Sequence, residues 1–385
     1  MLYVIISKKT CVRSEYMSKL WFVFSWTDES SSSWSGTPRG LYDALVKRVE
    51  VRKLNVSTKG NYFIQQIKRI FFPASDYSRA KKVIDSNSNI DKSEPCFMFG
   101  EYNSKAAPQS FCYQDLTIDF AIKMKKDPTL TVSFVHKIKN TIDCYVLKRR
   151  RKEAALFYQN CAGVFTMSKW LRRYMIEDMG IPESKVHHVG GGCSVDVSLV
   201  DTSQKVGNKF LFIGKNWMIK NGDLVVNAFE KLSSLHPELQ PELYIAGPSS
   251  APPSVIGKPN IHFLGRLPYN ELAQYYNMCD YFVMPSNSDA YGLVFVEALI
   301  YGLPCIGKDC FAMPEFISDG RNGYLINDND VDQLTDAMEK LLLDGKSISE
   351  YVKSQHDFYV NEYSWDSVAD RILTVMKNEG FDIIQ

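Results

Sequence analysis

The sequence predicts an α/β protein built from two Rossmann-like domains, each a parallel sheet covered by helices, that face each other across a cleft. Three observations carry this expectation. Short apolar segments of strand length alternate with helical patterns along most of the chain. Such segments are apolar on both faces, as strands buried under helices must be. The alternation breaks once, in a polar stretch without periodicity at 198–208, and 385 residues suffice for two ordinary domains.

The first strand is predicted at 20–24, directly after Met17. A serine-rich loop (Ser30 to Ser33) follows, then Ser35-Gly-Thr-Pro-Arg-Gly40, then a helix through Leu41, Ala44, Leu45 and Val49. Further strands are expected at 97–99, 130–135 and 163–166. The last leads into a helix that Ser168 can cap and that Gly180-Ile-Pro182 stops. After the polar stretch, strands are predicted at 210–213, 243–246, 261–264, 281–284, 304–307 and 323–326, with helices at 223–235, 270–278 and 293–301. An amphipathic helix capped by Ser364 closes the pattern at 363–376. The domains are therefore expected at 17–200 and 208–362, with 363–385 a C-terminal helical segment and 1–16 an extension.

Composition excludes several classes. A net charge of +1 gives no bulk argument for a nucleic-acid partner. The nine cysteines are scattered and none forms a C-x-x-C pair, which argues against a zinc knuckle or a disulfide framework and for a reducing, cytoplasmic compartment. No run approaches the roughly 18 apolar residues of a membrane span. The apolar stretch 1–7 is too short for a signal-peptide core.

The most informative segment is Pro285-Ser-Asn-Ser-Asp-Ala-Tyr-Gly-Leu-Val-Phe-Val-Glu297. A strand runs into a polar loop, the loop closes on Gly292, and a helix begins near Leu293. The free N–H groups of Gly292, Leu293 and Val294 at such a junction make an anion site. Asp289 and Glu297, eight positions apart, flank it. Two carboxylates would repel a phosphate and suit hydroxyl groups, so a ligand carrying both phosphate and sugar is implied: a nucleotide-sugar. A second strand-to-helix loop contains Gly214, Lys215 and Lys220, whose lysines can neutralise a diphosphate as point charges.

These motifs together resemble family 4 glycosyltransferases of the GT-B fold. Gly214-Lys215…Lys220-Asn221-Gly222 is similar to the family's Gly-Arg…Lys-Gly element, and Asp289 to Glu297 to its Glu-x7-Glu element. Tyr291-Gly292-Leu293 resembles Phe-Gly-Leu, and Glu297-Ala-Leu-Ile-Tyr-Gly-Leu-Pro304 resembles Glu-Ala-x-Ala-x-Gly-x-Pro. Leu243-Tyr-Ile-Ala-Gly247 resembles a strand-and-glycine element. The likeness covers nearly all of 160–343, and the chain as a whole also resembles family 4 enzymes encoded by large algal viruses, which would place it in a host cytoplasm.

The resemblance implies retaining hexosyl transfer from a nucleotide-diphosphate sugar to a glycan or other hydroxyl acceptor, with no metal and no cofactor. It also implies that 363–385 is a C-terminal crossover helix, packed back on the first domain. GDP-mannose is favoured over UDP-glucose. Glu297 would hold the ribose, Asp289 the donor sugar, Lys215 and Lys220 the departing diphosphate, Gly247 the donor, and Arg266 and Leu267 the base. His136, at the end of the strand expected at 130–135, would face the donor sugar. Gly36 and Thr37 would touch phosphate or acceptor. Gly100-Glu101-Tyr102 and Tyr113-Gln114-Asp115 are acceptor-side candidates. A non-catalytic nucleotide-sugar binder and a sugar-nucleotide epimerase of the same fold remain alternatives, and the oligomeric state, a dimer included, stays open.

Three signals are read as structural. Asp328-Asn-Asp330 spells a D-x-D metal string but precedes a helix, where aspartate caps. Lys148-Arg-Arg-Arg-Lys152 reads as a solvated helix face, with weak contact to an anionic membrane as the other reading. Gly190-Gly-Gly192 reads as a cleft-facing turn.

Overall fold

The computed structural model describes residues 19–24, 36–56, 75–87, 89–90, 94–126, 134–203 and 207–381, with the backbone alone described at 75–78 and 134–139. The expected extension at 1–16, Met17, the serine loop and the first part of the strand expected at 130–135 lie outside these residues.

The first half contains β1 (Leu20–Phe24), α1 (Thr37–Leu45), β2 (Val51–Asn55), α2 (Ser75–Ser86), β3 (Cys96–Met98), β4 (Ser110–Gln114), α3 (Ile118–Lys125), α4 (Phe134–Asn160), β5 (Gly163–Thr166), α5 (Lys169–Glu177) and β6 (Val186–His188). The six strands form one parallel sheet in the order β2-β1-β3-β4-β5-β6. Every residue of β1 and β4 is buried, as central parallel strands require. Phe22, Phe97, Phe165 and Phe111 stack in series across one face, with ring centroids 5.0 to 6.0 Å apart.

The strand expected at 130–135 is corrected. Phe134 and Val135 open the 27-residue α4, and His136 therefore lies in the first turn of a helix, not at a strand end. Helix propagation is cooperative, so the downstream run of Lys, Arg, Glu, Ala and Leu carries the helix back over two β-prone residues. Further along α4, Lys148, Arg149, Arg151 and Lys152 are exposed, the solvated face expected of that run. α1 ends at Leu45, four residues short of Val49, which is buried in the following turn.

The second half contains β7 (Lys209–Ile213), α6 (Gly222–Leu235), β8 (Glu242–Ala246), β9 (Ile261–Gly265), α7 (Tyr269–Met278), β10 (Tyr281–Val283), α8 (Leu293–Ile300), β11 (Cys305–Lys308), α9 (Met313–Phe316), β12 (Gly323–Ile326) and α10 (Val331–Asp344). These strands are also parallel, in the order β12-β11-β10-β7-β8-β9. The chain reverses direction across this sheet between β7 and β10, and the crevice outside their carboxyl ends is where such sheets bind ligands. Asp330 caps α10 by accepting from the N–H groups of Asp332 and Gln333, the structural use expected of the D-x-D string.

After α11 (Lys346–Ser354) and α12 (His356–Glu362), α13 (Trp365–Asn378) returns to the first domain, with Ser364 as its cap. Its buried face of Trp365, Val368, Ala369, Ile372 and Met376 packs beside α1. The Trp365 indole lies so close to Gly40 and Gly192 that a Cβ at either would stand 2.2 Å from it. Arg48 adds ion pairs of 2.6 Å to Asp366 and to Asp370. Both aspartates are half exposed, so these pairs contribute well under about 1 kcal/mol each, and the apolar face supplies most of the attachment.

Candidate active site

Two loops build the site, one after β7 and one after β10. Gly214 ends β7 with its N–H on the Ala246 carbonyl at 2.9 Å. A side chain at Gly214 would collide with the stem of Lys220, so the glycine lets the lysine fold back over the loop. Asn221, at φ 57°, turns the chain into α6 and donates to the Pro285 carbonyl at 2.7 Å. The Asn287 N–H reaches the Ile219 carbonyl at 2.8 Å. The two loops thus form one laced unit over the crevice.

On that unit Lys220 Nζ donates to Asp289 Oδ2 at 2.6 Å and to the Ser288 carbonyl at 3.2 Å. The pair is mostly shielded from solvent. Gly292 then turns at φ 89° and opens α8 with no side-chain cap, and the first helical residues Leu293 and Val294 line the crevice.

A cavity of about 500 Å³ lies here, of the size small-ligand sites occupy. The second domain lines it with Gly214, Lys215, Lys220, Asp289, Tyr291, Gly292, Leu293 and Val294. The first domain adds Thr37, Asp115 and Met167. Gly36 stands just behind Thr37 as the left-handed residue that starts α1. Burial pushes the Asp115 carboxyl up to about 6, with the nearby Asp289 and Glu101 charges adding to the effect.

Other expected residues stand elsewhere. Gly247 does not line the cavity. It lies behind the β7 loop, where a Cβ would come within 2.6 Å of the Gly214 backbone, so its part is to let that loop sit down on the sheet. Arg266 and Leu267 follow β9 outside this cavity, Arg266 exposed and Leu267 partly buried. Glu297 is one turn beyond Val294, also outside the cavity lining, and accepts from the Tyr276 hydroxyl at 2.8 Å. Burial pushes its carboxyl up to about 7 against the opposing pull of that hydrogen bond. Glu101 is buried and takes the Tyr158 hydroxyl at 2.8 Å, a satisfied internal pair rather than an acceptor contact. The Tyr113 hydroxyl is likewise turned inward, to the Gly190 carbonyl at 2.8 Å. The side chain of His136 is outside the described residues.

Sequence reasoning missed how the two domains are fastened around the cavity. The Tyr291 hydroxyl accepts from the Gly191 N–H at 2.9 Å and donates to the Gly191 carbonyl at 3.1 Å. The ring lies so close to Gly191 that a Cβ there would stand 2.7 Å from it. Glu315, from α9, takes the N–H groups of Lys169 and Trp170 at 2.9 and 2.7 Å, completing from the second domain the cap that Ser168 begins on α5. Phe311, at φ 56°, packs edge-on against Phe120 and Trp170 of the first domain. The tyrosine in place of the phenylalanine in the Phe-Gly-Leu pattern was the signal available for the first of these contacts.

Among the described residues no three or more His, Cys, Asp or Glu side chains converge as metal ligands, and no helix is long and apolar enough to cross a membrane.

With this geometry, the chain is similar to known proteins in fold and, by a family model, in the second domain. Residues 207–344 match the family model described as glycosyl transferases group 1. An uncharacterized 41.2 kDa protein in the cps region of Klebsiella pneumoniae is 38% identical over 84 residues, 22% of this chain and 24% of that protein. A D-inositol 3-phosphate glycosyltransferase of Jonesia denitrificans is 25% identical over 181 residues, 44% of this chain and 42% of that protein. The chain thus spans less than half the length of these curated relatives. Among solved structures, a sucrose-phosphate synthase from Thermosynechococcus elongatus superposes with a TM-score of 0.67 at 14% identity, covering 94% of this chain and 98% of that one. Two parallel six-stranded sheets in this arrangement are the GT-B fold of glycosyltransferases.

Proposed function

We propose that this chain is a group 1 glycosyltransferase that moves a hexose from a nucleotide-diphosphate sugar to a hydroxyl of a glycan acceptor. The observation that carries the reading is the cavity, where Lys215, Lys220 and the uncapped start of α8 face Thr37 and Asp115 of the other domain. Cations and backbone N–H groups on one wall suit a diphosphate, and hydroxyl and carboxylate groups on the other suit a sugar. The match of 207–344 to the group 1 model supports it.

In this reading the diphosphate draws Lys220 from Asp289, and the freed carboxylate takes a hydroxyl of the transferred sugar. Transfer proceeds with retention. The bond from the anomeric carbon to the phosphate oxygen breaks as the acceptor oxygen bonds to the same face, and the acceptor proton passes to a phosphate oxygen. Lys215, Lys220 and the α8 N–H groups stabilise the charge that grows on the leaving diphosphate, the largest contribution such a site can make. No metal is required. Glu297 holds the ribose and Arg266 and Leu267 bound the base, with GDP-mannose favoured over UDP-glucose.

The Lys220–Asp289 pair also favours a second reading, a binder without turnover, because each group already satisfies the other. Release of nucleoside diphosphate from GDP-mannose and UDP-glucose by slow transfer of the sugar to water, with EDTA present, separates the two. Transferase activity predicts release from one donor, slowed at least about 100-fold in Lys220→Met. Binding without any release would leave the binder.

A further inference from the structure

Asp115 is the feature of the cavity that the diphosphate chemistry does not use. It stands just past the carboxyl end of β4, and of the three described residues that the first domain gives to the cavity it alone carries charge. Its carboxylate faces the crevice from the wall opposite Asp289, and the two sense each other electrostatically. Among the described residues the cations of the cavity are Lys215 and Lys220, both from the second domain, and Lys220 is already held by Asp289. The Asp115 carboxyl accepts from its own and the Leu116 N–H, and a phosphate brought against it would meet negative charge that no described first-domain cation of the cavity offsets, in a partly desolvated setting. Hydroxyl groups fit there instead, since each donates to a carboxylate oxygen in a strong, charge-assisted bond.

We propose that Asp115 is a specificity-determining residue whose carboxylate accepts hydrogen bonds from the hydroxyls of a neutral sugar held between the two domains, and that it rejects a sugar bearing a carboxylate or sulfonate. The inference rests on the nucleotide-sugar reading of the cleft. The sugar is either the one being transferred or the one that accepts it, and both present the same hydroxyl chemistry.

Calorimetric titration of wild type and Asp115→Asn separates the sources. The ligands are the nucleoside diphosphates UDP and GDP alone, then UDP-glucose, GDP-mannose and UDP-glucuronate, then methyl α-glucoside and methyl α-mannoside in the presence of saturating nucleoside diphosphate. The variant is expected to bind nucleoside diphosphate as the wild type does, which also shows that it folds. It is expected to lose about tenfold in affinity for the neutral nucleotide-sugar, if the transferred sugar is held, or for the methyl glycoside, if the acceptor is held. Its preference for UDP-glucose over UDP-glucuronate should narrow in the first case. Asp115→Glu, which keeps the charge one methylene further out, should still reject UDP-glucuronate. Wild-type affinities in Asp115→Asn for both neutral nucleotide-sugars and both glycosides would overturn the inference while leaving the donor reading intact. A wild type that binds no nucleoside diphosphate would overturn the donor reading itself.

Discussion

Glu297 is held by two effects that pull its proton affinity in opposite directions. Burial raises it to about 7, and the Tyr276 hydroxyl lowers it by donating to the ionised form. A carboxylate that accepts ribose hydroxyls must be ionised. Donor affinity should then rise as pH climbs through 7, by about tenfold between pH 6 and pH 8, as the ionised fraction grows. Glu297→Gln should flatten the part of that rise above pH 7, where Asp115, titrating near 6, is already charged. A wild-type titration flat with pH, or an unchanged slope in the variant, would contradict the ribose role. At this scale the sequence was legible where chemistry and backbone coincide. Gly292 and Asp289 stand where a strand-to-helix junction requires them. Gly247 has a packing role that was not legible, because a glycine that clears room for a neighbouring loop looks, in sequence, like one that clears room for a ligand.

Three helix caps were legible, because a cap is a local matter, while Thr117, which caps α3, was not singled out. Ser168, Ser364 and Asp330 each accept from the N–H groups of the helix they precede. The contribution of Glu315 to α5 was not legible, since 146 residues separate it from Lys169. Glu315→Ala strips an acceptor from two helix N–H groups and should lower stability by about 1–2 kcal/mol in urea denaturation, the cost of losing a cap. An unchanged midpoint and slope would mean that water replaces the carboxylate there without loss. β4 was missed as well, because its apolar run is only Phe111-Cys112-Tyr113 between polar ends, and the edge strands β2 and β6 were missed for a related reason. β2 has no buried residue and β6 has one, so neither shows the apolar run that marks a central strand. Their place is set by pairing with β1 and β5, which is information from elsewhere in the chain.

For the molecule as a whole, alternation of strand and helix was enough to foresee two parallel sheets, whereas the crossover of the C-terminal helix onto the first domain was implied only by the resemblance to GT-B enzymes. The fastening of one domain to the other was not foreseeable. It depends on Tyr291 meeting Gly191, on Glu315 meeting α5, and on α13 laying Trp365 across Gly40 and Gly192. These contacts join residues from distant parts of the chain, and they bring Thr37 and Asp115 to face the donor loops. On the reading proposed above, this cleft binds a nucleotide-sugar. Calorimetric titration of the wild type and Glu297→Ala with GDP-mannose, UDP-glucose and UDP-N-acetylglucosamine, with and without EDTA, tests it most directly. One donor is expected to bind, with its affinity unchanged by EDTA and weakened at least about tenfold in Glu297→Ala. Binding that needs a divalent metal, or equal binding by Glu297→Ala, would contradict it.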